Sequence, residues 1–308
     1  MPSHHVVILL ATYQGGNHLQ AQLDSIATQK HADWSLIISD DGSTDDTLEI
    51  IKNFSSTQPA GRVKLVGGPR AGATANFLSL LDYVPSGAWA AFCDQDDKWF
   101  DDKLERAIAA FQNPRQPGHY AARTIIADAE LRPLTSSRLF QRPLSFRNAL
   151  VQACMAGNTS VFTPTAVQLL QEAAPYARTA KITAHDWWAY QVTSGHGAKL
   201  IHDPKPALLY RQHPTAEIGR NDTFEALTLR ARKLFSGDFA SWLLANYNSL
   251  TPLDLTPDSK AALLNLQQVL TKKAPQAVTA LRRGDFYRQT RMATLALFIS
   301  AGMGRLRA

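Results

Sequence analysis

Residues 34–54 read "WSLIISDDGSTDDTLEIIKNF". The first six residues form an apolar run of strand length, which predicts a buried β-strand over 34–39. "DDGSTDDT" follows with Asp-Gly turn chemistry, and "LEIIKNF" resumes helical spacing, with Ser43 or Thr44 as the expected N-cap. The stretch is therefore a strand, a polar turn and a helix in immediate succession, the building block of a parallel sheet.

The same pattern recurs on both sides. "HVVILLA" (5–11) predicts a first strand, and "GGNHLQAQLDSIATQ" a helix with Leu19, Leu23 and Ile26 in phase and Asn17 as its cap. "RVKLVG" (62–67) and "AWAAFC" (88–93) predict two more strands around a helix over "GATANFLSLLDYV". Continuous apolar strands alternating with helices predict an α/β fold, a Rossmann-like and mostly parallel sheet covered on both faces. In such sheets ligands bind beyond the carboxyl ends of the strands. The loops "ATYQGG" and "DDGS" lie at that edge.

So does "AFCDQDDKWFDDKL" (91–104), which gathers Asp94, Asp96, Asp97, Asp101 and Asp102. Like charges this close repel by a few tenths of a kcal/mol per exposed pair, so something must solvate or neutralise them. Asp101 and Asp102 precede the helical run "KLERAIAAF" and favour its positive end. Asp94, Asp96 and Asp97 lie deeper and have no such account. Oxygen ligands without neighbouring Cys or His suit Mg²⁺ or Mn²⁺, which completes its shell with water and phosphate oxygens. The expectation is a cation bridging to a diphosphate.

Composition sets the outer limits. The chain has 308 residues, 45% of them hydrophobic and 19% charged, enough for a large core in one or two domains. Cys93 and Cys154 show neither metal spacing nor a disulfide framework, which implies a reducing compartment, and Cys93 reads as a core residue. The N-terminal apolar run is too short for a signal peptide, and no window approaches the roughly 18–20 apolar residues of a membrane span. A cytoplasmic location is expected. The net charge of +6 is uneven: from Arg220 onward there are 13 Lys/Arg against 6 Asp/Glu, so the basic excess is C-terminal.

Together, "VVILLATYQGG", "WSLIISDDGSTDDT" and "FCDQDDKW" resemble the family-2 inverting glycosyltransferases of the GT-A fold. "SFRNALVQACMAGNTSVF" and "HDWWAYQVTSGHGAKLIHDPKPALLYRQH" are similar to the bacterial rhamnosyltransferase-type branch, which builds O-antigen and other surface polysaccharides. The resemblance covers about residues 5 to 215. It implies a nucleotide-sugar donor (a dTDP-sugar, with dTDP-L-rhamnose favoured, or a UDP-sugar), a divalent metal, and a glycan or lipid-diphosphate-linked glycan acceptor. By resemblance the base and ribose are held by Ala11 through its backbone, Thr12, Tyr13 and Asp41. Asp94 faces the ribose, and Asp96 binds the metal with Asp97 as a further candidate there or behind it. Asn76 resembles a donor-site position. His213 is a candidate to complete the metal site, and Arg211 to neutralise phosphate.

On the acceptor side an inverting transfer needs one general base. Resemblance places it at Asp186 in "AHDWWAYQV", with Trp187 and Trp188 beside it as aromatic faces for sugar rings or as core. The small residues of "QACMAGNTS", near a strand expected over 159–162, either leave room for an acceptor or pack tightly. The expected organisation is a catalytic domain over 1–218, with a nucleotide-sugar half to about 100 and an acceptor half beyond it. A helical region covers 219–308. Its helices include "TFEALTLRARKLF" and a basic amphipathic "FYRQTRMATLALFISAGMG". That last pattern suits the anionic inner face of the cell membrane; packing on the catalytic domain or a homodimer contact are the alternatives. Two competing functions are a nucleotide-sugar or carbohydrate-binding protein without turnover, and a nucleic-acid binder. The latter lacks any recognition motif, so no nucleic-acid partner is expected.

Overall fold

The computed structural model describes residues 4–113, 115–212 and 237–308. Its larger sheet contains strands β1 (Val6–Thr12), β2 (Trp34–Asp40), β3 (Val63–Gly67), β4 (Trp89–Cys93), β6 (Gly118–Ala122), β9 (Val161–Phe162) and β10 (Lys199–Asp203). The order is β10-β6-β9-β4-β1-β2-β3, in which β9 runs antiparallel to both neighbours and the other pairs are parallel. A smaller sheet, ordered β5-β11-β7-β8, joins β5 (Lys98–Trp99), β7 (Ile125–Ala127), β8 (Pro133–Ser136) and β11 (Leu208–Arg211).

Every residue of β1 and of β4 is buried, which is why both read as uninterrupted apolar runs. Full burial of side chains such as Ile8, Leu9 and Leu10 is worth about 1.5–3 kcal/mol each. Helices α1 (Leu19–Ala27), α2 (Thr47–Ser56) and α4 (Lys103–Ala109) follow β1, β2 and the acidic stretch. Leu19, Leu23, Ile26, Ile51, Phe54 and Leu104 from them pack with Val6, Ile8 and Leu10. The other face of β1, through Val7 and Leu9, packs on α3 (Ala73–Leu80), α6 (Pro164–Ala180) and α7 (His185–Gly195).

The register fixes the functional edge. Thr12 pairs with Asp40, Asp40 with Gly67, and Leu10 with Cys93. The turns after β1, β2, β3 and β4 thus leave the sheet side by side.

Some local expectations are corrected. Helix α1 starts at Leu19 without a side-chain cap; the Gly15 carbonyl accepts from the His18 and Leu19 N–H groups instead of Asn17 serving. Helix α2 starts at Thr47, because Ser43 and Thr44 are bound to Asp40 and Gln14. The strand expected over 159–162 is only Val161–Phe162, preceded by a 3₁₀ turn at Gly157–Thr159.

The helices α8 (Asp238–Leu250), α9 (Pro257–Thr271), α10 (Ala274–Arg283) and α11 (Arg291–Gly302) complete the described chain. They are not a detached bundle. Phe239, Leu243, Leu263, Leu281 and Leu297 share one apolar cluster with Leu170, Trp187 and Val192 of α6 and α7. The last helix is shorter than its pattern predicts: Phe286 to Thr290 form a non-helical approach in which Phe286 is buried. The expected "TFEALTLRARKLF" helix and the boundary near 218 lie outside the described residues.

Candidate active site

The site is built from turns that bind one another. Asp40 is buried at the end of β2. Its carboxylate accepts from the Gly42 and Ser43 N–H groups at 3.1 and 2.8 Å, the Ser43 hydroxyl at 2.6 Å and the Thr12 hydroxyl at 3.0 Å. Gly42 has φ +102°, so the turn needs a residue without Cβ. Asp40 and Thr12 are therefore the internal frame of this edge.

Asp41 points to the next turn. Its oxygens accept from the Arg70 N–H at 2.5 Å and the Gly72 N–H at 2.9 Å, which folds residues 68–72 over the edge. Each carboxylate oxygen has a second lone pair, so Asp41 keeps the capacity to accept from a nucleoside base. Asn76, buried in α3, donates to the Ser39 carbonyl at 2.9 Å. Among the described residues its Oδ1 has no hydrogen-bond partner, and it lies under Gly68, where a Cβ would come within 3.0 Å of it and 2.7 Å of Asp41 Oδ1. Asn76 thus supports the 68–72 turn from below.

The turn after β1 is joined to the acidic stretch by a reciprocal amide pair. The Tyr13 N–H donates to Gln95 Oε1 and Gln95 Nε2 donates to the Tyr13 carbonyl, both at 2.9 Å. The Tyr13 ring remains 58% exposed at this edge, free to stack on a planar ligand. Ala11, at the buried end of β1, presents only backbone.

The carboxylates of the acidic stretch separate by environment. Asp94 and Asp96 are half-buried. Asp97 is fully buried, and its Oδ2 accepts from Asn158 Nδ2 at 2.7 Å. Burial, reinforced by Asp96 and Asp94, pushes its pKa well above the usual carboxylate range. Its other oxygen, Oδ1, accepts from the Arg211 N–H at 3.4 Å, so both Asp97 oxygens have protein donors. Lys103 is also fully buried; its Nζ donates to the Asn158 carbonyl at 2.8 Å and sits 3.1 Å from the Trp99 ring centroid. Desolvation pushes Lys103 down to about 7. It is a buried amine behind the acidic stretch, fixed by the Asn158 carbonyl and the Trp99 ring.

Arg211 departs from its expected role. Its Nε donates to the Asp96 carbonyl at 2.7 Å and its Nη1 to the Ala129 carbonyl, and the residue is buried. A guanidinium held by two backbone carbonyls braces the acidic stretch instead of reaching for phosphate. His213 lies outside the described residues.

Asp186, at the first turn of α7, accepts from the Trp187 N–H at 2.6 Å and the Gly157 N–H at 3.3 Å. Gly157 allows this approach: a Cβ there would meet His185 Nε2 at 2.8 Å and Asp186 Cβ at 3.1 Å. The small residues before β9 thus serve tight packing. Trp187 and Trp188 are core residues, buried with Phe239 stacked on Trp187, and offer no face to a sugar. Thr74 donates to the Thr183 carbonyl at 2.8 Å and Phe77 stacks on His185 at 3.9 Å, so the starts of α3 and α7 meet. The stretches near 12, 41, 76, 95, 157 and 186 are connected by this chain of contacts.

Among the described residues no three His, Cys, Asp or Glu side chains form a preformed cation cage. The donor set nevertheless fits a hard divalent ion of the type that takes one or two carboxylates and completes its shell with diphosphate and water. Asp96 carries such a carboxylate half-buried at the edge, while Arg211 braces the stretch through the Asp96 carbonyl. Sequence reasoning missed Gln95, Asn158 and Lys103. Gln95 stands inside the acidic stretch, but its partner is 82 positions away, a pairing only the fold reveals.

Comparison with known proteins agrees with this geometry. The family model described as Glycosyl transferase family 2 matches residues 7–174. The dTDP-rhamnosyl transferase RfbG of Shigella flexneri is 32% identical over 229 residues, covering 70% of this chain and 76% of that protein. A UDP-Glc:alpha-D-GlcNAc-diphosphoundecaprenol beta-1,3-glucosyltransferase of Escherichia coli, WfgD, is 31% identical over 35% of this chain and 42% of its own length. Among solved structures, S. aureus TarS with UDP-GlcNAc aligns over 98% of this chain and 89% of that one, with a TM-score of 0.53 at 14% identity. The mannosyltransferase PcManGT of Pyrobaculum calidifontis, with GDP-Man and Mn2+, aligns over 99% and 88%, with a TM-score of 0.53 at 16% identity. These two likenesses concern the fold.

Proposed function

The chain belongs to glycosyl transferase family 2, and from that premise we propose an inverting, divalent-metal-dependent transfer of L-rhamnose from dTDP-L-rhamnose to a glycan or lipid-linked glycan of a surface polysaccharide. The observation that carries this reading is the Gly157–Asn158 turn. Gly157 donates its N–H to Asp186 and Asn158 donates its amide to Asp97. One rigid turn therefore ties the candidate base to the acidic stretch.

In this reading Tyr13, Thr12, Ala11 and Asp41 receive the nucleoside, and Asp94 the ribose. Asp96 would hold a Mg²⁺ or Mn²⁺ ion, whose chemistry would be charge stabilisation of the leaving diphosphate. Asp186 accepts the proton of the acceptor hydroxyl. That oxygen forms its bond to the anomeric carbon as the bond to the diphosphate breaks on the opposite side, and nucleoside diphosphate leaves. The Trp187 N–H on one Asp186 oxygen fixes the carboxylate's orientation while leaving lone pairs for that proton. The rhamnosyl choice is supported by the relative from Shigella flexneri, a dTDP-rhamnosyl transferase by name.

The test is incubation of the purified chain with dTDP-L-rhamnose or UDP-sugars, with and without Mn²⁺, following nucleoside diphosphate release and sugar transfer. Metal-dependent turnover of dTDP-L-rhamnose is expected. Turnover of UDP-sugars alone would overturn the donor assignment. Donor binding without release or transfer under any condition would establish a binding protein instead.

A further inference from the structure

Helix α11 has two unlike faces. Leu297, Ser300 and Ala301 are buried against the helical layer. On the other side Met292, Leu295, Ile299 and Met303 are 74, 52, 47 and 59% exposed, and their spacing places them along one stripe of the helix. Large apolar side chains on a folded surface are ordinary when scattered; four in a row are a contact surface. Arg291 and Arg305 lie exposed at the two ends of this stripe, and Arg282, Arg283 and Arg307 are also exposed nearby in sequence. From Lys272 to the end the chain holds 8 Lys/Arg and one acid, Asp285.

We propose that the exposed face of α11 is a docking surface for an anionic lipid membrane, entered by Met292, Leu295, Ile299 and Met303 with arginines at the headgroups. Charge decides between this occupant and a second copy of the chain. Two copies meeting across this face would set arginine against arginine with one acid per copy in the region, whereas an anionic bilayer neutralises the same residues and accepts the apolar stripe. No helix among the described residues is long and apolar enough to cross a membrane, so the contact is interfacial.

The surface is connected to the acceptor side. The segment leading into α11 is bonded to residues 142–152. Arg142 donates to the Arg288 carbonyl at 3.0 Å, Asn148 to the Tyr287 carbonyl at 3.0 Å, and the Gln289 N–H to Gln152 Oε1 at 2.7 Å. Residues 142–152 run directly on to Gly157, which binds Asp186. Resting on the glycosyl-transfer reading, this places the membrane next to the segment feeding the candidate base, and the acceptor class it fits is a glycan displayed from a lipid surface.

The experiment uses the full chain with vesicles of phosphatidylcholine alone or with about a third phosphatidylglycerol, read by flotation at low and high salt. The variants are Leu295→Asp with Ile299→Asp, and Arg305→Glu with Arg307→Glu. Salt-sensitive binding to the anionic vesicles only is expected, weakened at least about tenfold in each variant. Nucleoside diphosphate release with a soluble acceptor should be unchanged, since these exposed side chains make none of the hydrogen bonds that join residues 287–289 to 142–152. Absence of binding by the parent chain, or equal binding by both variants, overturns the surface. A dimer in sedimentation that Leu295→Asp dissolves also overturns it, in favour of a second copy. Loss of release in the parent chain with binding intact would instead sink the transfer reading.

Discussion

Asn158 donates its side-chain amide to Asp97 Oδ2 across 2.7 Å, both residues being buried. Its own carbonyl accepts Lys103 Nζ. A buried carboxyl group that burial holds toward its neutral form and a buried amine pushed down to about 7 are thus held by one residue of one turn. Each polar group would be expensive to bury unpaired; the hydrogen bonds to Asn158 contain that cost. The acidic stretch is then as rigid as the turn.

Asn158→Ala leaves an Asp97 oxygen buried without its donor. The expected loss is about 1–3 kcal/mol of stability, seen as a lowered denaturant midpoint at unchanged slope. Asn158→Asp, which sets a second carboxylate against Asp97, should lose more. Equal stability of both variants and the parent would refute the network.

Much of this was legible in the residues. Strands β1, β2 and β4 were, because burial on both faces demands continuous apolar runs, whereas β3 lies at the sheet edge with no residue fully buried. The edge was, because the polar turns follow those runs. What failed were side chains with a choice of partners. Ser43 and Thr44 look like helix caps, but Asp40 at the end of β2 takes the Ser43 hydroxyl, and Gln14 from the turn after β1 binds both residues. Trp187 and Trp188 look like a sugar platform, but α8 covers Trp187 with Phe239. Arg211 looks like a phosphate ligand, but the Asp96 and Ala129 carbonyls take its guanidinium. Such outcomes depend on contacts between distant segments, which spacing along the chain does not encode.

One buried and two half-buried histidines predict the acid response. Burial pushes His119 down to about 3, and His185 and His202 to about 4. In the unfolded chain each titrates near 6.5. As pH falls through 6.5 the unfolded chain takes up protons that the folded chain refuses, so stability is full above 6.5 and declines down to about 4. The slope is about 1.4 kcal/mol per pH unit for each histidine. His119, between the Thr193 and Ser160 hydroxyls at 3.0 and 2.9 Å, is the cleanest probe. His119→Asn should flatten the dependence of unfolding free energy on pH between 6 and 4.5. An unchanged slope would show that His119 is not the neutral group assumed.

Asp96→Ala tests the cation. If Asp96 holds it, the variant should fold, since neither the Asn158–Asp97 hydrogen bond nor the Arg211 bond to the Asp96 carbonyl is made by the Asp96 side chain. It should lose transfer, and also lose the extra thermal stabilisation that Mn²⁺ adds to nucleoside diphosphate. A ligand bound only by the folded state must raise its stability, so persistence of the metal-dependent shift would assign the ion to another residue.

Asp186→Asn separates base from brace. The present carboxylate accepts from two N–H groups, of Trp187 and Gly157. Asn can keep one of these bonds through its carbonyl, but its NH₂ cannot accept the other. As a purely structural substitution this costs on the order of 1 kcal/mol, too little to abolish folding. The chemical effect is of another size. An amide cannot take the acceptor's proton at neutral pH, and loss of a general base lowers turnover by roughly 10²–10⁴. Donor and metal binding should persist, and the loss should fall on kcat, because the proton moves only in the transition state. Gly157→Ala supplies the control, since its added Cβ presses on His185 and Asp186 without removing the carboxylate. If Asp186 only braces the turn, Gly157→Ala should harm turnover as much as Asp186→Asn, and both variants should lose stability in proportion. If Asp186 is the base, Asp186→Asn should be far less active than its stability explains, while Gly157→Ala retains measurable turnover. Near-parental kcat in Asp186→Asn would remove Asp186 from the mechanism and leave the fold and the donor edge untouched.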